Sequence, residues 1–178
     1  WKSIYEHYRP VSADDRLPAT RNGILVSIAD RIDTLAGCFS VGLIPSGSSD
    51  PFALRRQAQG LISLLATGEV GLTLSEIVNA GLGGFPDSAT QVRGRLLGFL
   101  EQRVSFFLQR EGIAQDVVRA VLAVGLTSVP DALARAKALS QIRGDADFEA
   151  LAIASKRTRN ILEKAGDRAK VDETLFDQ

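Results

Sequence analysis

The sequence predicts an all-α fold, a multi-helix array of about eight helices. Three observations carry this. Aromatic residues make up only 6% and alternating β-branched runs are scarce, which disfavours a sheet. Ala, Leu, Arg and Gln, all good helix formers, are common. Apolar residues recur three and four apart, between segments marked by capping residues or by Gly and Pro. With 178 residues and 45% hydrophobic side chains, one domain, or two small ones sharing a core, can be built without disulfides or metals.

Trp1 to Tyr8 fits the end of a helix stopped before Pro10. Val11 to Asn22 is polar and holds Pro18, so it is expected to be a loop. Ile24, Leu25, Ile28, Ile32, Leu35 and Phe39 then mark a helix ending near Gly42. Ile44 to Asp50 is a loop by composition. Asp50 looks like the N-cap of the next helix, with Pro51 at its first position and Leu54, Ala58, Leu61 and Leu65 as its buried stripe. Thr73 and Glu76 form a capping box opening a short helix to about Asn79. Gly81 to Asp87 is the clearest breaker and the one candidate boundary between two lobes. Ser88 with Gln91 predicts a second capping box, before a helix carrying Leu96, Leu97, Leu100, Val104, Phe107 and Leu108 and ended by Gly112. Three more helices are expected: Val117 to Val124, one opened by Ser128 and Pro130 and running to Arg143, and Phe148 to Ala165.

Composition excludes several functions. Lys+Arg and Asp+Glu are both 21, so any nucleic-acid contact must come from a local patch. The single cysteine, Cys38, rules out an internal disulfide and a cysteine zinc site, and fits a reducing, cytoplasmic setting. No apolar run approaches the ~18 residues of a membrane span, so no membrane partner is expected. No phosphate-gripping loop, dinucleotide fingerprint, nucleophile elbow or metalloprotease pair occurs. The chain has no Met, and Trp1 opens it in mid-pattern, as expected of a piece of something longer.

Three groups could carry chemistry. Asp30 and Asp33 lie opposite Ile28, Ile32 and Leu35, among the small or apolar Val26, Ala29 and Gly37. They could share a divalent ion, or they could be structural, solvated or paired with an arginine. The expectation is that one of them meets Arg55, Arg56 or another Arg. Arg55 and Arg56 sit at a helix start, where cations oppose the macrodipole and an anion, protein carboxylate or phosphate, should offset them. Lys156, Arg157 and Arg159 form a basic run on the last helix, the one local excess visible along the chain, which could meet RNA backbone or simply be a solvated face. His7 and Cys38 fit a satisfied histidine and a small hydrophobe.

Several stretches together are similar to one family. Tyr5 to Pro10 (YEHYRP), Leu17-Pro18, Ile28 to Gly37 (IADRIDTLAG), Gly42 to Arg56 (GLIPSGSSDPFALRR), Ala120 to Ala123 (AVLA) and Lys156 to Leu162 (KRTRNIL) resemble the β subunit of bacterial glycyl-tRNA synthetase, over nearly the whole chain. The resemblance implies that residues 1–80 are the C-terminal part of an HD-like helical domain. Residues 81–178 would be a helical linker or body region preceding an anticodon-binding domain beyond Gln178. It also implies tRNA-Gly and an α subunit as partners. ATP and Mg, with the chemistry, would belong to the α subunit in the parent complex, and no cofactor or catalytic residue is expected here. Arg55, Arg56, Lys156, Arg157 and Arg159 are then the candidate RNA contacts. Asp30 resembles the last metal-ligating Asp of HD enzymes, but His7 stands in no His-Asp pair, so no complete metal site is expected. Ser49 stands where the family often has Lys. Two other readings remain: a fragment of a metal-dependent HD phosphohydrolase, and a purely structural helical connector.

Overall fold

In the computed structural model, which describes residues 1–12, 14–86 and 89–164, the backbone forms eight helices and, among those residues, no strand. They are α1 (Lys2–Glu6), α2 (Arg21–Ser40), α3 (Leu54–Ala66), α4 (Leu74–Leu82), α5 (Ala89–Arg110), α6 (Gln115–Ala123), α7 (Val129–Ile142) and α8 (Ala146–Lys164). The all-α expectation is met.

Two compact units divide after Ser140. In the first, α2 packs on α3 and α4, and α5 packs against all three. Ile28, Ile32, Leu35 and Phe39 of α2 join Leu61, Leu65, Leu96, Leu100 and Val104 in one core that runs on through α6 and α7. Helix α4 ends at Leu82, inside the expected breaker, while the division between compact units falls after Ser140. At the α2–α4 crossing, a Cβ on Gly81 would lie 2.7 Å from Ile32 Cγ1 and 3.2 Å from the Ile32 carbonyl, so only glycine admits this approach.

The capping signals mostly do what the sequence predicts. Thr73 and Glu76 form the capping box, and α4 runs on to Leu82, past the expected end near Asn79. Gly112 and Gly125 take positive φ, +82° and +104°, just beyond α5 and α6. The Ser128 hydroxyl accepts from the Asp131 N–H at the start of α7. The box expected at Ser88 and the end of the last helix expected at Ala165 lie outside the described residues.

The start of α3 differs from expectation. Pro51, Phe52 and Ala53 form a turn instead of the first helical residues, with Ala53 in the left-handed region at φ 53°. Asp50 still caps the helix, but by reaching across that turn: its carboxylate accepts from the Leu54 N–H at 2.8 Å and the Arg55 N–H at 3.0 Å. Thr20, unmarked in the sequence reading, is the N-cap of α2, accepting from the Gly23 N–H.

The second unit is described through α8, where the Asp145 carboxylate accepts from the Asp147 N–H at 2.8 Å. Its side chains from 149 to 163 are all exposed.

Candidate nucleic-acid interface

The N-terminal segment fixes one face of α2. The Arg9 carbonyl accepts from the Ser27 hydroxyl at 2.7 Å, and the Glu6 carboxylate accepts from the Ala19 N–H. Arg31 lies beneath, 4% exposed, and donates to the Tyr8 and Pro10 carbonyls at 3.0 and 2.9 Å and to the Gln57 side chain of α3. Burial pushes the Arg31 guanidinium below its ordinary value, and neighbouring Asp30 partly counters this. Gly60 of α3 makes room for it: a Cβ there would stand 3.1 Å from Arg31 Cζ. Ser27 and Arg31 lie one turn apart along the buried stripe of α2, and that misplaced polarity was the available signal.

The expected meeting of acids and arginines does not occur. Asp30 and Asp33 are both exposed, and among the described residues neither joins an ion pair. They sit on the solvent side of α2, so no burial cost demands a partner. Of the small or apolar residues around them, Gly37 serves packing instead: the Phe85 ring lies against it, 3.1 Å from where a Cβ would be. Ala29, Ile32, Ile77 and Gly81 line a groove of about 410 Å³ with Asp33 beside it. Among the described residues no three His, Cys, Asp or Glu side chains gather as a metal-ligand set, at Asp30 or elsewhere. Cys38 packs on the core as a small hydrophobe, its thiol pushed up by burial.

Arg55 folds back over the preceding loop and donates to the Gly47 carbonyl at 2.7 Å and the Ser49 carbonyl at 3.4 Å. Its anionic offset at the helix start is Asp50. Arg56 is exposed. Lys156, Arg157 and Arg159 are exposed on α8. The five candidate contacts thus fall into two groups in different compact units.

The fold also assembles an excess that no stretch of sequence displays. α3 carries Arg55 and Arg56 and no acid, while α5 carries Arg93, Arg95, Arg103 and Arg110 against Glu101 alone. These two helices pack side by side, so six arginines and one glutamate share one pair of helices. The basic run on α8 is therefore not the only local excess. Arg93 is spent on the Asn79 and Ser75 side chains and Arg110 pairs with Asp14. Arg103 instead lies over two rings, 4.6 Å from the Phe106 centroid and 5.7 Å from that of Phe99. Burial holds its guanidinium below the ordinary value, and nearby Arg55 adds to this against Asp50.

No described helix is long and apolar enough to cross a membrane. The profile of the family described as glycyl-tRNA synthetase beta subunit matches residues 1–123. The glycine–tRNA ligase beta subunit of Acidobacterium capsulatum is 44% identical over 174 residues, covering 97% of this chain and 25% of that protein. That of Desulforapulum autotrophicum is 42% identical, covering 98% of this chain and 26% of its own length. That of Syntrophotalea carbinolica is 43% identical, covering 99% and 26%. The chain spans about a quarter of the length of the curated relatives it matches. By its sequence and its coverage of that profile, the chain belongs to the glycyl-tRNA synthetase beta subunit family.

Proposed function

We propose that this chain is a tRNA-binding and scaffold segment of the β subunit of a cytoplasmic glycine–tRNA ligase. It supports ATP-dependent glycylation of tRNA-Gly, with ATP, Mg and the catalytic groups held by an α subunit. Family membership supports tRNA as the ligand class and an α subunit as the partner. The observation that carries the binding role is the exposed run Lys156, Arg157 and Arg159, in a chain whose overall charge is zero. Charges presented in this way favour phosphates and add affinity with little base specificity.

The test is filter binding of tRNA to the full-length subunit at two salt concentrations. Binding should fall steeply with salt. Lys156→Ala and Arg157→Ala should each flatten the log–log slope by about one unit, equally for matched and mismatched tRNAs. Unchanged affinity and slope in both variants make the run a solvated face. Glycine-dependent pyrophosphate exchange by the chain alone should match a mock preparation, and exchange above it refutes the placement of chemistry in the α subunit.

A further inference from the structure

Helices α2 and α4 leave an open trench between them. Its volume is about 410 Å³, and Asp33 is the only polar side chain in its lining. Ile28, Ile32 and Ile77 lie buried in it, while Leu25 and Leu72 remain 40% exposed beside them. The rest of the lining is small, with Ala29 on α2 and Ala80 and Gly84 at the end of α4. An apolar trench between two helices, walled by small residues, has the form that takes the apolar stripe of a third helix. A small molecule would find a single carboxylate side chain to orient it.

The charge beside the trench is acidic. Asp30 lies one turn before Asp33 on the exposed side of α2, and among the described residues neither joins an ion pair. α4 carries no Lys or Arg, and its one charge is Glu76, one turn before Ala80. On α2, Arg31 is buried, with its terminal nitrogens on the Tyr8 and Pro10 carbonyls and on Gln57. Arg21 stands at the first residue of the helix, about three turns before Asp33. These carboxylates repel a phosphate backbone and favour cations beside an apolar surface. A second copy of the chain seated on the same patch would set acid against acid, because an isologous contact uses one surface twice. Permanent interfaces are more apolar, whereas an apolar centre with a charged rim suits a partner that folds separately.

We propose that the α2–α4 trench is a docking groove for a helix of the α subunit that carries an apolar stripe flanked by Lys or Arg. The stripe fills the trench over Ile28, Ile32 and Ile77, and the flanking cations meet Asp33 and Asp30. This rests on the partnership with an α subunit read above, and it gives the two acids the cation that their own chain does not supply.

The experiment uses the purified complex of full-length β subunit and α subunit, with a benzophenone amino acid in place of Ala80 and, separately, of Ala29. After irradiation, mass spectrometry maps the attached peptide. It should come from an α-subunit segment with apolar residues three and four apart and Lys or Arg beside them. Asp33→Lys should weaken assembly of the two subunits severalfold at low salt, Asp33→Asn less, and both losses should shrink as salt rises. Thermal melts of the β variants alone should match wild type. Attachment to the β subunit itself, to a second copy, to added tRNA or to nothing from either position overturns the groove while the subunit partnership stands. So does attachment to an α segment without cations, or unchanged assembly of Asp33→Lys at low salt. If wild-type β and α subunits do not assemble at all, the partnership itself falls, and the groove with it.

Discussion

Arg31 and Arg103 sit in the same compact unit and use the same side chain in opposite ways. Arg31 is enclosed between α2, α3 and the N-terminal segment, and its terminal nitrogens donate to two backbone carbonyls and Gln57. Its Nε lies 3.1 Å from where a Gly60 Cβ would be and, like that of Arg103, has no hydrogen-bond partner among the described residues. Arg103 has ring faces for neighbours, with a half-exposed Phe106 beside it. The difference shows that burial of charge does not by itself mark a functional group. An arginine whose donors are met by carbonyls ties segments together. One that lies over ring faces is held by packing and by the rings' own field.

The largest test of that contrast is stability. Arg31→Leu strands the Tyr8 and Pro10 carbonyls, and should cost about 3 kcal/mol or more, since hydrogen bonds to charged groups contribute roughly 1.5–3 kcal/mol each. Urea unfolding of the two variants side by side checks it. Arg103→Leu should lose less than about 1 kcal/mol, as expected where no specific partner is removed. Equal losses would make Arg103 a structural residue like Arg31.

Next in size is Gly81→Ala. The added Cβ would meet Ile32 Cγ1 at 2.7 Å and its carbonyl at 3.2 Å, so α2 and α4 must separate. Overpacking of this kind costs about 1–3 kcal/mol. The loss should appear in the unfolding midpoint without a change in helix content, because Ala is the better helix former. Gly94→Ala is the control, since nothing lies within 4 Å of its Cβ position, and it should be neutral or stabilising.

Asp50→Ala is smaller. It removes one carboxylate from two N–H groups and should cost about 1 kcal/mol, as for other N-terminal caps. Amide exchange at Leu54 and Arg55 should rise while that at Leu64 and Leu65 does not.

The fold was legible because its signals are local. The stripe of Ile24, Ile28, Ile32, Leu35 and Phe39, the box at Thr73 and Glu76, and the glycines at 112 and 125 each act within a turn or two of chain. The start of α3 was misread because Asp50 and Pro51 also fit an ordinary N-cap. Only the left-handed Ala53 shifts the helix by three residues, and an alanine gives no sign of that. The site was less legible, since its parts are distant. Arg31 meets carbonyls of residues 8 and 10, and Arg103 comes near Arg55, nearly fifty positions away in sequence. The acids were misassigned for a related reason. Small neighbours around Asp30 and Asp33 suggested close approach, and close approach does occur, but by Phe85 on Gly37 instead of by a cation.

The smallest expected effect concerns Glu76, a fully exposed charge whose partners all lie within one turn. Its Oε2 accepts from both the Thr73 N–H and the Thr73 hydroxyl at 2.8 Å, and the Glu76 N–H donates to Thr73 Oγ1 at 3.2 Å. The backbone hydrogen bond first, and the hydroxyl second, hold the carboxyl below its ordinary value. A folded-state value below the unfolded one means that ionised Glu76 favours folding. That contribution is fully present above the unfolded value of about 4.3, and is lost as pH falls through the folded value. Glu76→Gln keeps an acceptor for the box but has no charge to lose. The gap in melting temperature between wild type and Glu76→Gln should therefore be widest near neutral pH and close below the ordinary carboxylate range. A gap that stays constant through acid pH would show that the charge does nothing here beyond what a neutral carbonyl does. Exposed though it is, Glu76 would then resemble Arg31 in being met by its own chain, without needing its charge for it.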